Sequence, residues 1–402
     1  MSTDREAERI AFLQSAGLGH AVRTPLAGDA STRRYERLTR PDGSTLIFMD
    51  QPPAEESAVA PPDASEEERR ALGYNAEARL AGGSVAAFVA LAGWLRAQGL
   101  SAPRVEAHDA ERGFAVLEDL GGALFATQER GLEDLYGAAV DALVGLHAAE
   151  PPAVVEADGA RWALNRYDAL AYHAGLDPFL DWWPKFAGLP APSAEAQAEW
   201  TELWAPVIAL GEPDRPVFTH RDYHAENLLW LPEREGLARV GMLDFQDAVA
   251  GHPAWDLLHL LQDARRDVPP ELEAAMLDRY LAARPETDRE EFLHDYRALA
   301  ALNAARILGR VFARQEVLFR RDRYTAFMPR TWRHLERNLG RGDMEGLRAW
   351  FDQHIPPEAR AAENRSGPCR PPPWCWRPAW ARACGRSRTT GPRPWSRSAA
   401  AP

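Results

Sequence analysis

Residues 217–250 constrain the fold of this chain more than any other stretch. The sequences PVFTHRDYHAENLLWL and LARVGMLDFQDAV each join a β-rich run to a polar loop, whereas nearly everything else after Asp134 has helical periodicity. This pattern predicts one hairpin-like segment embedded in a mainly helical body. The two polar loops are expected to lie close together.

The first part of the chain predicts a smaller region that contains a β-sheet. The expected elements are a helix over 5–17, strands joined by tight turns between Val22 and Met49, a helix over 84–98 and a buried strand from Phe114 to Leu117. Residues 51–83 are rich in Pro, Ala and Glu, which indicates a mobile insertion, a loop or lid, with a short helix near Glu66 to Leu72.

These elements predict an α+β chain with two lobes. Residues 1–117 would form a small antiparallel β lobe that carries the insertion 51–83, and residues 118–122 would form a hinge. Residues 123–360 would form a large helical lobe that carries the polar loops. Residues 361–402 have no periodic pattern and are expected to be disordered.

Charge and hydropathy exclude several classes of protein. The net charge is −12, but residues 365–402 contribute +8, so the remainder carries −20 and would repel a nucleic-acid backbone over most of its surface. The longest apolar runs, such as 85–95, are shorter than the roughly 18 residues that a membrane span needs. The N-terminus lacks the basic start and apolar stretch of a signal peptide, which predicts a cytoplasmic protein with neither nucleic-acid nor membrane partners.

The C-terminal tail has an unusual composition. It holds all three cysteines, Cys369, Cys375 and Cys384, at spacings that suit a zinc site poorly and without a nearby His. It could be a basic segment for membranes or nucleic acids. We prefer an out-of-frame translation, because an alternative frame permits a sequence that resembles the nucleotide-binding loop of a sugar-1-phosphate nucleotidyltransferase. Such an enzyme would then be a functional partner.

Three side chains in the two polar loops carry the predicted chemistry. Asp222 precedes Asn227 by five residues, and Asp244 follows seventeen residues later. That order places a base beside two metal-binding oxygens, which phosphoryl transfer requires. Asp222 is therefore predicted to be the catalytic base or orienting group, and Asn227 and Asp244 to be Mg²⁺ ligands. The alternative is that all three are ordinary loop residues.

The sequences HRDYHAEN, DFQD and GHPAWDLLHLL resemble the aminoglycoside-phosphotransferase family, which is related to the protein kinases. The resemblance implies a bilobal, protein-kinase-like fold and the use of ATP with Mg²⁺. It also implies that Asp256 supports the catalytic loop by accepting hydrogen bonds from His220 or Arg221. Alternatively, Asp256 would cap the helix that follows Pro253.

Further phrases narrow the resemblance. The sequences GDASTRRYERL, MDQPP, LEDLGG and LDWWPKF, together with residues 261–285, are similar to the bacterial anomeric N-acetylmuramate/N-acetylglucosamine kinases of cell-wall recycling. This similarity implies phosphorylation of the C1 hydroxyl of an amino sugar. Two alternatives stay open: a phosphotransferase for aminoglycosides or other small hydroxyl compounds, and an ATP-binding regulator without catalysis.

The nucleotide site must differ from that of a protein kinase. The resemblance predicts a phosphate-binding lysine on the third strand, but Met49 stands there and Lys185 is the single lysine of the chain. We predict that Arg33 or Arg34 supplies the phosphate-facing charge, helped by the backbone of the turn Gly28 to Ser31. The alternative is that both arginines face solvent.

The hinge and the acceptor site are less sharply defined by the sequence. The backbone from Glu118 to Leu120 is expected to bind adenine, although an acidic turn at a strand end is common. Trp182 and Trp183 could stack on a sugar or simply pack in the core. Asn303 could reach an acyl or lactyl group together with Arg306, for which a structural ion pair is the alternative. The candidate acceptor-binding residues are His224, Gln246, Asp247 and Arg306.

Overall fold

The computed structural model describes residues 3–26, 33–52, 58–128, 131–340 and 342–360, all within the unit Met1–Ala362. Gly28, Ser31 and residues 361–402 lie outside the described residues. The prediction of a nucleotidyltransferase partner rests on residues 365–402 and therefore also lies outside them. In the part of the chain that is described, no helix has both the length and the apolar character needed to cross a membrane.

The expected α+β fold with two lobes is confirmed. The small lobe contains a five-stranded antiparallel sheet in the order β1-β2-β3-β5-β4. Its elements are α1 (Thr3–Ser15), β1 (Val22–Pro25), β2 (Arg34–Thr39), β3 (Thr45–Asp50), α2 (Glu66–Leu72), α3 (Tyr74–Glu77), α4 (Val85–Ala97), β4 (Val105–Asp109) and β5 (Phe114–Glu118).

The two faces of this sheet have different partners because side chains alternate along each strand. On the outer face α1 covers an apolar cluster in which the rings of Phe12, Phe48 and Phe114 lie 5.3–6.0 Å apart, centroid to centroid. The inner face carries Tyr35 and Ile47, which line a cleft. The outer face therefore holds α1, and the inner face is left for the functional site.

The described part of the insertion 51–83 is anchored to the large lobe, which differs from the mobile loop or lid that we expected. Arg69 is only 2% exposed and donates from both terminal nitrogens to the carboxylate of Asp168, at 2.5 and 2.8 Å. Arg221 of the large lobe donates to the carbonyl of Ala78 at 3.0 Å. Because breaking a buried ion pair is costly, this segment connects the lobes firmly.

The large lobe is mainly helical. Its helices are α5 (Leu132–Ala148), α6 (Ala169–Leu176), α7 (Pro178–Ala187), α8 (Ala194–Leu210), α9 (Ala254–Leu261), α10 (Pro270–Ala282), α11 (Arg289–Arg306), α12 (Arg314–Phe319), α13 (Met328–Leu339), α14 (Glu345–His354) and α15 (Pro357–Arg360). A π-helical stretch, Ile307–Ala313, joins α11 to α12, and short 3₁₀ turns cover Phe125–Thr127, Gly236–Arg239 and Asp322–Phe327. Its strands are β6 (Val154–Ala157), β7 (Ala160–Ala163), β8 (Val217–Thr219), β9 (Leu228–Trp230), β10 (Val240–Met242) and β11 (Val249–Gly251).

The hairpin β6–β7 shows that the helical prediction after Asp134 was wrong for residues 154–163. Asp158 and Gly159 form its two-residue turn with φ of 49° and 76°. Positive φ at both central residues matches the twist of a tight hairpin, and Asp-Gly is a strong signal for it. The hairpin packs on α4 at Gly93, where a Cβ would lie 2.4 Å from the side chain of Ala157.

The segment 217–250 forms the embedded β structure that the sequence predicts. The strand β8 pairs with β11, and β9 pairs with β10, so one pair is nested inside the other along the chain. The loop 220–227 and the loop 243–248 are consequently neighbours. The N–H of Leu243 donates to the carbonyl of Asn227 at 2.9 Å, which joins the two loops directly.

Candidate functional site

One buried carboxylate, that of Asp256, holds the loop 220–227 in place through hydrogen bonds to the loop backbone. Asp256, in the first turn of α9, is 1% exposed and accepts from the backbone N–H groups of His220 at 2.7 Å and Arg221 at 2.9 Å. Burial raises the pKa of Asp256 to about 7, while the two hydrogen bonds act in the opposite direction. The helix itself is preceded by Pro253 and has no side-chain cap, so Asp256 serves the loop.

Arg221 also holds this loop in place, through the contacts of its side chain. Its φ is +76°, a left-handed backbone conformation that is costly for a residue with a Cβ. Its guanidinium is buried, lies 4.5 Å from the ring centroid of Tyr167 and donates to the carbonyl of Ala78. These contacts hold the unusual backbone turn just before Asp222.

Asp222 projects from this supported loop with a side chain that is 40% exposed. Burial of its surroundings opposes ionisation, but the positive fields of His259 and Arg306 hold the pKa of the Asp222 carboxyl well below its usual range. Burial also lowers the pKa of His259 well below its ordinary value, so that imidazole is neutral near pH 7. The permanent positive charges that act on Asp222 are therefore those of Arg306 and Arg221, and Asp222 is a carboxylate at neutral pH.

Asn227 and Asp244 lie together at the edge of the cleft, as the spacing predicts. The Nδ2 of Asn227 donates to the backbone carbonyl of Asp222 at 2.9 Å. Among the described residues no hydrogen bond reaches its Oδ1. Asp244 has a φ of 62° and a side chain that is 42% exposed. An amide oxygen and a carboxylate thus line the same cleft, which is a donor set suited to a hard cation.

Arg33 belongs to the small lobe, and its side chain reaches Asp244 and Gln246 of the large lobe. Its Nη1 lies 3.0 Å from Asp244 Oδ1 and 3.0 Å from Gln246 Oε1. It precedes β2 and lines the cleft together with Tyr35, whereas Arg34 is exposed and points away from that lining. Of the two candidate arginines, the structure brings only Arg33 to the predicted metal ligands.

The cleft between the lobes has a volume of about 350 Å³ and mixed apolar and polar walls. The predicted hinge forms one wall. There, the N–H of Glu118 donates to the carbonyl of Arg104 at 2.8 Å, and the Glu118 carboxylate pairs with Arg234 at 2.7 Å. The N–H and C=O of Leu120 form no hydrogen bond with the described residues. The apolar lining includes Leu26, Ile47, Phe88, Pro103, Leu117, Leu120, Leu229 and Leu243.

Three of the residues proposed for the acceptor are engaged within the protein. His224 is 7% exposed, and its Nε2 lies 3.3 Å from the Nδ2 of Asn227. Gln246 donates to Asp244 Oδ1 at 2.9 Å, and Asp247 accepts from the N–H of Ala81 at 2.7 Å. Their contacts orient the loops and the two predicted metal ligands.

Trp182 and Trp183 both pack against other side chains of the protein. Trp183 has no exposed surface and stacks parallel to Phe179, with centroids 5.9 Å apart. Trp182 is partly buried, and cations approach its ring, since Lys185 Nζ lies 4.8 Å from the centroid and the Arg314 guanidinium 5.9 Å. Neither ring presents a bare face for a sugar.

His259 belongs to the site and was missed in the sequence. Its Nδ1 lies 3.9 Å from Asp222 Oδ1, it is 6% exposed, and its Nε2 has no hydrogen-bond partner in the described chain. Its position three residues after Asp256, one helical turn along α9, was the available signal. A lone histidine in an apolar helix is otherwise an ordinary core residue.

The model of the phosphotransferase enzyme family, APH, matches residues 22–293. An N-acetylmuramate/N-acetylglucosamine kinase of Caulobacter vibrioides is 57% identical over 363 residues, which cover 90% of this chain and 99% of that protein. A protein of the same name from Pseudomonas aeruginosa is 29% identical over 326 residues, covering 79% and 83%.

The structure is also similar to solved structures. A choline kinase of Streptococcus pneumoniae has 16% sequence identity and a TM-score of 0.47, with 86% of this chain and 99% of that chain covered.

Proposed function

Since the chain belongs to the phosphotransferase enzyme family, we propose that it is a sugar kinase that transfers the γ-phosphoryl group of ATP to the anomeric hydroxyl of N-acetylmuramate or N-acetylglucosamine. The observation that carries this proposal is the meeting of Asp222, Asn227 and Asp244 beside a cleft lined by both lobes. The similarity, over most of the chain, to kinases named for these two sugars supports the choice of acceptor.

Asp222 would orient the acceptor hydroxyl and take its proton as the phosphoryl group is transferred. It can do so because it is ionised at neutral pH and partly exposed, and because Asp256 and Arg221 fix the backbone that carries it. Most of the catalysis of phosphoryl transfer comes from such positioning and from neutralisation of charge. A rigid, charged loop meets both needs.

The residues present fit a magnesium ion. Among the described residues no group of three or more His, Cys, Asp or Glu side chains could hold a metal. Mg²⁺ is commonly bound by one or two protein oxygens together with substrate phosphates, and Asn227 Oδ1 and the Asp244 carboxylate provide two. When bound there, the ion would neutralise charge on the phosphates of ATP.

The nucleotide would occupy the cleft. The apolar walls suit an adenine ring, and the backbone N–H and C=O of Leu120 would provide its hydrogen bonds at the hinge. Arg33 would supply the positive charge for the phosphates that a strand lysine gives in protein kinases. Arg33 pairs with Asp244, and the phosphates would replace that carboxylate as its partner.

One observation favours an uncharged or anionic acceptor over an aminoglycoside. Arg306 is a permanent cation whose field reaches Asp222, and a polycationic acceptor would be repelled there.

We propose that the reaction takes place in the cytoplasm, where ATP is available. The product, a sugar 1-phosphate, is the class of compound that a nucleotidyltransferase consumes.

The function is tested by incubating the purified chain with ATP and Mg²⁺ and each candidate acceptor, and by locating the new phosphate with ³¹P NMR. We expect phosphate at C1 of one or both amino sugars, and loss of turnover when EDTA removes the metal. Phosphorylation of aminoglycosides alone would favour the alternative transferase. Nucleotide binding without any sugar phosphate would favour a regulator and contradict the proposal.

Replacing Arg33 with Gln is expected to raise the KM for ATP by about tenfold or more, because a charge-assisted hydrogen bond is worth about 1.5–3 kcal/mol. The KM for the sugar should change little. Steady-state kinetics with varied ATP provide the measurement, and Arg34→Gln is the matched comparison one residue along the chain. A larger increase in KM for Arg34→Gln would assign the phosphate contact to that residue instead.

A further inference from the structure

Two arginines, one at the end of α11 and one just beyond it, lack a carboxylate partner among the described residues. Arg306 is the last residue of α11, and Arg310 lies in the π-helical stretch that follows. Both are half-buried, and neither forms an ion pair with any of the described residues. Side chains four residues apart project from the same face of a helix. The chain is strongly acidic overall, so two partly desolvated cations without a counter-ion point to a missing anion.

The Arg306 side chain is held in place. Its Nη1 donates to Asn303 Oδ1 at 3.0 Å, and Asn303 is 4% exposed. Its stem lies against Gly175 of α6, where a Cβ would come within 3.1 Å of Arg306 Cδ. The glycine thus makes room for the arginine, and the buried asparagine orients one end of the guanidinium. The remaining donors of the planar group stay available for a carboxylate.

Arg310 is oriented by an aromatic ring. Its guanidinium carbon lies 3.8 Å from the ring centroid of Tyr74, the first residue of α3 in the anchored segment. The π-helical stretch approaches α7 closely at Gly309, where a Cβ would lie 2.3 Å from the Cα of Phe179. Such π-helical turns occur frequently at functional sites. The ring and the glycine together fix the helix face that carries both arginines.

The position of this face relative to Asp222 follows from electrostatics and packing. The helix α11, which ends at Arg306, packs on α9, which carries His259, and His259 Nδ1 lies 3.9 Å from Asp222 Oδ1. The charge of Arg306 accordingly acts on both Asp222 and His259. Asp222 marks where the reacting hydroxyl would be. An anionic group on the same sugar ring would therefore meet Arg306 first, with Arg310 one turn farther along.

This inference rests on the proposed function and extends it to one chemical group of the acceptor. We infer that Arg306 and Arg310 form a subsite for the carboxylate of the lactyl ether of N-acetylmuramate. Planar guanidinium groups bind carboxylates by paired hydrogen bonds, which gives both affinity and orientation. N-acetylglucosamine has a hydroxyl in place of the lactyl ether and gains nothing from the two charges. The subsite therefore sets the preference between the two sugars.

The test compares kcat/KM for the two sugars in the wild type, Arg306→Gln, Arg310→Gln and the double variant. We expect kcat/KM for N-acetylmuramate to fall about 10–100-fold, mainly through KM, because each lost charged contact is worth about 1.5–3 kcal/mol. The value for N-acetylglucosamine should stay within about twofold in Arg310→Gln. In Arg306→Gln it should fall much less than the value for N-acetylmuramate, because the charge of Arg306 also acts on Asp222. Arg306→Lys should recover part of the loss for N-acetylmuramate, and Arg215→Gln, an exposed arginine before β8, serves as the control.

Equal losses for both sugars, or no loss for either, would overturn the subsite. Thermal unfolding of each variant shows whether it is folded, and Arg310→Gln carries the test alone if Arg306→Gln does not fold. A wild type that phosphorylates only N-acetylglucosamine would also refute the subsite, while leaving the kinase proposal intact. A wild type that phosphorylates neither sugar would refute the proposed function itself.

Discussion

Asp222→Asn is expected to lower kcat by about 10²–10⁴-fold, which is the usual contribution of a positioned general base. The amide keeps the size of the carboxylate but can no longer accept the proton of the sugar hydroxyl. Since the Asp222 side chain forms no part of the cleft lining, the KM for ATP should change little. Steady-state kinetics with both substrates varied provide the measurement.

Asp214→Asn is a suitable control for this experiment. Asp214 is an exposed carboxylate on the loop before β8. Its replacement by Asn removes one negative charge, as Asp222→Asn does, but at a position away from the site. Its kcat should be that of the wild type. If Asp222→Asn kept more than about a tenth of the wild-type kcat, Asp222 would not be the base, and His259 would become the next residue to examine.

Asp256→Ala is expected to lower the free energy of unfolding by about 2–6 kcal/mol and to abolish most activity. The change leaves the N–H groups of His220 and Arg221 buried without an acceptor, and each unsatisfied buried donor costs about 1–3 kcal/mol. Activity falls as well because these N–H groups hold the backbone next to Asp222. Urea unfolding, followed by the kinase assay at low urea, measures both effects.

Asp278→Ala is the matched control for stability. Asp278 is also a helical aspartate, but its side chain is 60% exposed and its partner Arg289 is 55% exposed. Surface ion pairs of this kind contribute about 0–1 kcal/mol. A loss for Asp256→Ala no larger than that of Asp278→Ala would show that the loop does not depend on the buried carboxylate.

Much of the site could be predicted because its residues are close in sequence. The spacing of Asp222, Asn227 and Asp244 indicated two adjacent loops, and the nested strand pairs place them there. The alternation of side chains along β2 also determines which of Arg33 and Arg34 faces the cleft. Leu38 of β2 is fully buried under α1, so Arg34 shares that outer face and Arg33 lies on the face of the cleft.

Features that depend on distant partners could not be predicted in the same way. The charge of Arg69 is buried against Asp168, 99 residues later in the chain, while the nearby carbonyls of Ala76 and Glu77 accept its other hydrogen bonds. Local composition rich in Pro, Ala and Glu cannot reveal such a partner, and it therefore indicated a mobile loop. His259 likewise acquires its significance from Asp222, which comes from another element. The hairpin at Asp158 was different, because its Asp-Gly signal was present and was outweighed by the surrounding helical pattern.

The attachment of α4 has a consequence for how such an enzyme can be controlled in the cell. Protein kinases are switched on and off through an ion pair between a strand lysine and a glutamate on a movable helix. Here Met49 occupies the strand position, residues 85–97 contain no acidic side chain, and the hairpin of the large lobe packs on α4. The described part of this chain therefore lacks both charged residues through which such a switch acts, and its α4 is held against the large lobe, so control by movement of that helix is not open to it.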